Sequence, residues 1–344
     1  MKTKGDETEC HDLFPGKLIH LNTTNQNNIL NIIILNFMIK QILCTLFLVI
    51  FWVSCVSAQT AEEYFLMGHK EYMNGNHEKA IEYYTASLQI NPESAIGYYN
   101  RGMAYALGLK KYEEAIQDFT MALKYKSDLA EAYCNRGLTY DKMGNYETAI
   151  ADYNDALKIN PELAQAYNGR GTTYYNLERY KEAITDFNKA IELDPEFWQA
   201  YNGRGNAHEK QKDYEKSYND FSKVIELKPN IPAAYFGRGI ALAYGFKDYS
   251  KAIADYSKAI ELYPEYFKAY YFRAVSKYAL KDYEGAIADY TKALEIDPKA
   301  SFVYKYRGYS YQYSGNDKKA CEDFLMAKTL GDEEAYELIS KYCK

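Results

Sequence analysis

The feature that most constrains this chain is a period of 34 residues, repeated eight times between residues 61 and 331. Units begin near Ala61, Ala95, Ala130, Ala164, Trp198, Pro232, Phe267 and Ser301. Position 4 of every unit is Tyr: Tyr64, Tyr98, Tyr133, Tyr167, Tyr201, Tyr235, Tyr270 and Tyr304. Position 8 is Gly in seven units, with Ala274 the exception, and position 20 is Ala in seven, with Ser217 the exception. Position 24 is always aromatic: Tyr84, Phe119, Tyr153, Phe187, Phe221, Tyr256, Tyr290 and Phe324. A Pro closes six units, at Pro92, Pro161, Pro195, Pro229, Pro264 and Pro298. The repeat accounts for most of the 38 tyrosines, which are core or semi-core residues before they are anything else.

The spacing within a unit predicts two helices. Positions 4, 8 and 11 form one stripe of a first helix, and positions 20, 24 and 27 one stripe of a second. Gly on one helix facing Ala on the other lets the two backbones approach closely. The large residues at positions 4, 17 and 24 fill the space around that contact. Pro at position 32 cannot continue the second helix. One helix pair cannot bury both its faces, so neighbours must stack and the array grows as a solenoid. Units two and six carry one extra residue, in Ala-Leu-Gly-Leu-Lys-Lys-Tyr112 and Ala-Tyr-Gly-Phe-Lys-Asp-Tyr249. Both are expected to be surface loops between the helices, where an insertion costs little.

This pattern resembles the tetratricopeptide repeat: an aromatic, then Leu-Gly, Tyr, Ala, Phe, Ala and Pro over 34 residues. The resemblance covers residues 61–331. It implies an all-α, right-handed α-solenoid of eight helix pairs, closed by a C-terminal capping helix over 332–344. The departure is position 7, where the family prefers Leu and this chain mostly has Arg.

Position 7 is Arg in units two to eight, and position 23 is Asp in the same seven. The couples are Arg101 with Asp118, Arg136 with Asp152, Arg170 with Asp186 and Arg204 with Asp220. Arg238 with Asp255, Arg273 with Asp289 and Arg307 with Asp323 complete the set. Unit one has Met67 and Tyr83 instead, so the two residue types come and go together. That predicts a bidentate ion pair between the two helices of a unit. An anion-binding Arg ladder is the lesser reading, because each Arg has its own Asp.

Positions 2, 5, 9 and 12 form a second stripe on the first helix. By resemblance, this stripe lines the concave face, where family members bind partner peptides. The candidate peptide-binding residues are Phe65, His69, Tyr72, Tyr99, Asn168, Tyr175, Asn202, Asn206, Phe236, Tyr271, Tyr278 and Tyr309. Aromatics flank an Asn-rich centre, a composition suited to anchoring an extended backbone. The alternative is an ordinary solvated surface. Chaperone-adaptor members of the family clamp a C-terminal carboxylate with Lys and Asn. Asn202 and Asn206 have part of that spacing. The accompanying Lys is missing, since Lys305 is followed by Tyr309 where Asn is expected.

The N-terminus reads as an address. Residues 42–53 are apolar, Met38, Ile39 and Lys40 precede them, and Val56-Ser57-Ala58 follows: the layout of a signal peptide over 38–58, cut after Ala58. The run is short for a membrane span. Residues 1–37 are an extension, either disordered or a start-site artefact. The expectation is therefore an exported protein, periplasmic or extracellular, with anchoring by residues 42–58 as the alternative. Export makes a disulfide between Cys321 and Cys343 reasonable. In the cap, Asp332 is placed to start the helix, and Ala335, Leu338, Ile339 and Tyr342 make its apolar stripe.

Function classes narrow accordingly. A net charge of -6 disfavours nucleic acid as partner. No Cys pair has CxxC spacing, so no metal is expected. His11 and His20 lie in the N-terminal extension, His77 and His208 hold repeat positions, and His69 stands without a catalytic companion. The reading is a non-enzymatic protein without cofactor, binding a protein or peptide on its concave face. Alternatives are a spacer or assembly platform using the convex face or the ends, and a non-catalytic accessory subunit of a periplasmic enzyme. Membrane contact is expected only through an uncleaved N-terminal segment.

Overall fold

The computed structural model describes residues 35, 38–42 and 59–343. The chain divides into a leading part, Met1–Thr60, and a second part, Ala61–Lys344. In the leading part, 38–42 are helical. The extension over 1–37 and the signal segment over 38–58 otherwise lie outside the described residues. Among the described residues, no helix is long and apolar enough to cross a membrane.

The second part is built of helices alone among the described residues. Unit one is α1 (Ala61–Met73) and α2 (His77–Ile90); unit two is α3 (Ala95–Met103) and α4 (Tyr112–Tyr125). Units three to five are α5 (Ala130–Lys142) with α6 (Tyr146–Ile159), α7 (Ala164–Asn176) with α8 (Tyr180–Leu193), and α9 (Trp198–Lys210) with α10 (Tyr214–Leu227). Units six to eight are α11 (Pro232–Ile240) with α12 (Tyr249–Leu262), α13 (Phe267–Ala279) with α14 (Tyr283–Ile296), and α15 (Ser301–Tyr313) with α16 (Asp317–Thr329). Each helix packs on its partner and on the neighbouring unit, so the second part is an all-α solenoid of helix pairs. The expected unit starts coincide with the observed helix starts, because the packing residues recur at the same offsets.

The core is a row of rings. Every position-24 aromatic is buried, from Tyr84 to Phe324. The position-8 glycine lies against it: a Cβ on Gly102 would sit 2.9 Å from Phe119, and one on Gly239 2.6 Å from Tyr256. The next unit closes on the same ring from the other side. A Cβ on Gly169 would lie 2.5 Å from Tyr153, on Gly203 2.5 Å from Phe187, and on Gly237 2.4 Å from Phe221. These three glycines hold position 6. Units seven and eight have Phe272 and Tyr306 there, which pack against Tyr256 and Tyr290 with ring centroids 6.4 and 6.5 Å apart. Small position-6 residues let successive units close on the ring directly, and large ones add rings to the groove.

The two inserted residues are not in loops. Each is absorbed at the end of the first helix as a π-helical turn, Ala104–Leu109 and Ala241–Phe246. Each turn ends in a left-handed residue, Lys110 (φ 55°) and Lys247 (φ 57°). Widening the helix by one residue keeps its hydrogen bonds and presses a glycine on the preceding unit. A Cβ on Gly108 would lie 2.2 Å from His77, and one on Gly245 2.4 Å from Tyr214.

At the C-terminus the cap is shorter than the expected 332–344: α17 spans Ala335–Tyr342. Its N-cap is Glu334, without a side-chain cap, and Asp332, two residues earlier, accepts from the Ala335 amide at 3.3 Å. Leu338, Ile339 and Tyr342 cover Ala320 and Phe324. Cys321 and Cys343 are joined as a disulfide with Cα atoms 5.4 Å apart.

Candidate functional site

The first and second helices of each unit present two long rows of polar groups, and their geometry separates structure from site. On one row, each position-7 guanidinium holds its position-23 carboxylate through Nε and Nη2, at 2.6–3.0 Å in all seven units. The position-4 Tyr lies under the same guanidinium, 5.4–5.8 Å from its centre.

The remaining Nη1 reaches the preceding unit. It donates to Thr85, Thr120, Asn154, Asn188 (2.6 Å), Ser257 and Thr291. For the unit-six arginine, Arg238, the corresponding residue is Ser222 of unit five, whose hydroxyl has no partner. All of these stand at position 25, a hydroxyl or amide in units one to seven and Leu325 in unit eight. Unit eight has no following Arg to serve, and unit one, with Met67, has no unit before it. The expected pair within a unit is therefore part of a three-way clamp between units. Position 25 carried that signal in the sequence.

Burial raises the Asp118 and Asp323 carboxyls above their usual range, with the paired arginines pulling the other way. Hydrogen bonding to Asp152 raises the Arg136 guanidinium. A cavity of about 410 Å³ opens beside the unit-five clamp, lined by Asn188, Arg204, His208, Lys216 and Asp220. Its Arg and Asp already hold each other, and Lys216 is paired with Asp213 at 2.6 Å. His208 is buried, which lowers its pKa. That face offers a ligand little free charge.

The other row is different. Asn168 and Asn202 both stand at position 5, in successive units, and the side-chain oxygen of each is buried without a partner. Together with Thr172, Tyr175, Asn206 and Gln199 they line a cavity of about 350 Å³. Phe236 and Tyr271 line a second, of about 390 Å³, with Glu209, Phe267, Phe272 and Phe302. Tyr271, Tyr278 and Tyr309 line a third, of about 270 Å³, with Tyr244, Tyr306 and Tyr313. Tyr271 is thus a wall shared by two cavities. Burial, then the neighbouring Tyr313, pushes the Tyr278 phenol up to about 12.

Eight of the twelve candidate residues therefore line these three cavities. The other four do not join them. Phe65 packs on Tyr84, Tyr72 on His77 and Tyr99 on Phe119. The Tyr99 hydroxyl accepts from Asn135 at 2.9 Å. His69 is exposed. Lys305 is withdrawn from any ligand: it is buried and holds Asp332 at 3.0 Å and Glu334 at 2.8 Å, fastening the cap. Cys134, also at position 5, is buried, and burial followed by the Glu131 charge pushes its thiol up to about 12. Phe272 and Tyr306 were not legible as groove residues, because position 6 lies off the 2-5-9-12 stripe. Among the described residues no group of His, Cys, Asp and Glu is arranged to hold a metal ion.

Comparison with known proteins agrees with this architecture. Models described as tetratricopeptide repeat match residues 130–163, 164–197, 198–231, 267–300 and 233–266, and a TPR repeat model matches 68–108 and 109–144. No curated protein matches the chain. Among solved structures, a tetratricopeptide repeat protein from Parabacteroides merdae is 25% identical, with a TM-score of 0.53 over 73% of this chain and 98% of that one. The C-terminal part of a TPR repeat-containing protein from Cytophaga hutchinsonii is 25% identical, with a TM-score of 0.53 over 70% and 98%. PilF of Pseudomonas aeruginosa shares the fold at 20% identity, with a TM-score of 0.55 over 62% and 96%.

Proposed function

This chain belongs to the tetratricopeptide repeat family, and from that premise we propose that it binds an extended segment of a partner protein along the first-helix face of units four to eight. Members of this family are generally non-catalytic interaction modules. One observation carries the reading: the Asn168 and Asn202 side-chain oxygens, one repeat apart, are buried on a shared cavity with no donor. A buried acceptor without a donor costs about 1–3 kcal/mol. The backbone N–H groups of an extended chain would supply donors to both. The aromatic cavities beyond would take its side chains.

The test is recovery of partners from cells by pull-down and mass spectrometry, comparing the native protein with Asn168→Ala/Asn202→Ala. Both residues are half-buried and neither helps fill the ring core, and removing two unsatisfied acceptors relieves a cost, so the double variant should be at least as stable as the native protein. Loss of the recovered partner is the expected result. Undiminished recovery would transfer the interaction to the convex face or the ends, as the scaffold alternative requires.

We also propose, from the basic start, apolar run and small residues of 38–58, that this segment is an export signal and the protein works outside the cytoplasm. Intact mass of the protein isolated from its own cells should give an N-terminus at Gln59. A membrane-bound form that keeps 42–58 would favour the anchor instead.

A further inference from the structure

Two acidic residues occupy position 12 of the first helix, Asp141 in unit three and Glu209 in unit five. Their surroundings differ. Asp141 is buried and satisfied by the next unit: it accepts from the Thr173 hydroxyl at 2.7 Å and from Asn176 Nδ2 at 3.4 Å. Those donors stand at positions 10 and 13 of unit four. The same positions of unit six are Ala241 and Tyr244, both within the π-helical turn. Ala241 has no donor to offer, and Tyr244 turns its ring toward Tyr214 and Phe272. Glu209 accordingly has no hydrogen-bond or ion-pair partner among the described residues.

Glu209 instead faces a cavity of about 390 Å³ whose other walls include Phe236, Tyr271, Phe272 and Phe302. Burial raises its pKa, and the charges of Lys210 and Lys268 oppose the shift. Lys268 lines the same cavity but is exposed and forms no ion pair with Glu209. Its long stem lets the ammonium stay in water. A half-buried carboxylate among aromatic side chains is left without an ion-pair partner, and aromatic rings attract a cation.

We propose that this cavity receives a lysine or arginine side chain of the bound segment, its charge paired with the Glu209 carboxylate and its methylene stem laid on the Phe236, Tyr271 and Phe302 rings. The inference rests on the groove reading above and names the residue type that the groove selects. A single carboxylate in the wall of a mostly apolar cavity discriminates by charge: a neutral or acidic side chain there leaves Glu209 unpaired and further desolvated.

The test is selection of a random short-peptide library displayed on phage against the mature native protein, Glu209→Gln and Glu209→Lys. The expected result is a fixed Lys or Arg in peptides selected by the native protein. Glu209→Gln should bind those peptides about tenfold more weakly than the native protein, with its melting temperature no lower, since the desolvated charge is removed. Glu209→Lys should select Asp or Glu at the same place. Selected peptides with no fixed basic residue, or undiminished affinity in Glu209→Gln, would overturn the inference and leave the groove reading standing. A selection that yields no peptide for the native protein would overturn both.

Discussion

The clamp row and the groove row run along the same array, yet they obey different rules. On the clamp row the pattern repeats seven times, and each arginine is held by a carboxylate and, in six units, by the preceding unit. On the groove row position 5 runs Phe65, Tyr99, Cys134, Asn168, Asn202, Phe236, Tyr271 and Lys305, and polar atoms are left open. Repetition marks what every unit needs in order to stack. Departure from repetition, combined with unsatisfied polar groups, marks where the array meets something else.

The contrast can be broken most forcefully on the clamp row. Asp220→Ala leaves the Arg204 guanidinium partly buried without its carboxylate. The expected loss is about 3 kcal/mol, the low end for a buried pair because Arg204 keeps 21% exposure. Chemical denaturation should also show that Arg204→Ala and Asp220→Ala do not add in the double variant. Strict additivity would mean that the pair does not act as a unit.

A smaller effect is expected at the ring between units. Gly237→Ala places a methyl 2.4 Å from the buried Phe221 ring, which has little room to retreat. Thermal melting should show a loss of about 2 kcal/mol, in the range of overpacked cores. An unchanged melting temperature would show that the units can slide apart without cost.

Smallest of all is the third arm of the clamp. Asn188→Ala removes one charge-assisted hydrogen bond to Arg204, at 2.6 Å on an exposed edge, and should cost about 1 kcal/mol. A cost equal to that of Asp220→Ala would make the inter-unit arm, rather than the ion pair, the main bond of the row.

Much of the fold was legible because its causes are local and recur. Tyr at position 4, Gly at position 8, Ala at position 20 and the ring at position 24 gave the helix starts to the residue. The Arg–Asp couples were legible for the same reason, since both members vanish together in unit one. The π-helical turns were not. A single inserted residue reads as a loop insertion, and only the packing of Gly108 on His77 and of Gly245 on Tyr214 favours widening the helix. The groove was legible in part: Asn168, Asn202 and Tyr271 fell on the expected stripe, whereas Phe272 and Tyr306 entered from position 6.

The sequence by itself determined that this chain is a stack of helix pairs, because each pair carries the same apolar faces at the same spacing. Only the tertiary structure decided which polar groups find partners. That depends on what the next unit presents across the gap: Thr173 and Asn176 complete Asp141, while the π-helical turn after Glu209 leaves that carboxylate open. A side chain's own neighbours in sequence cannot specify this, because the donor it needs lies a full repeat away.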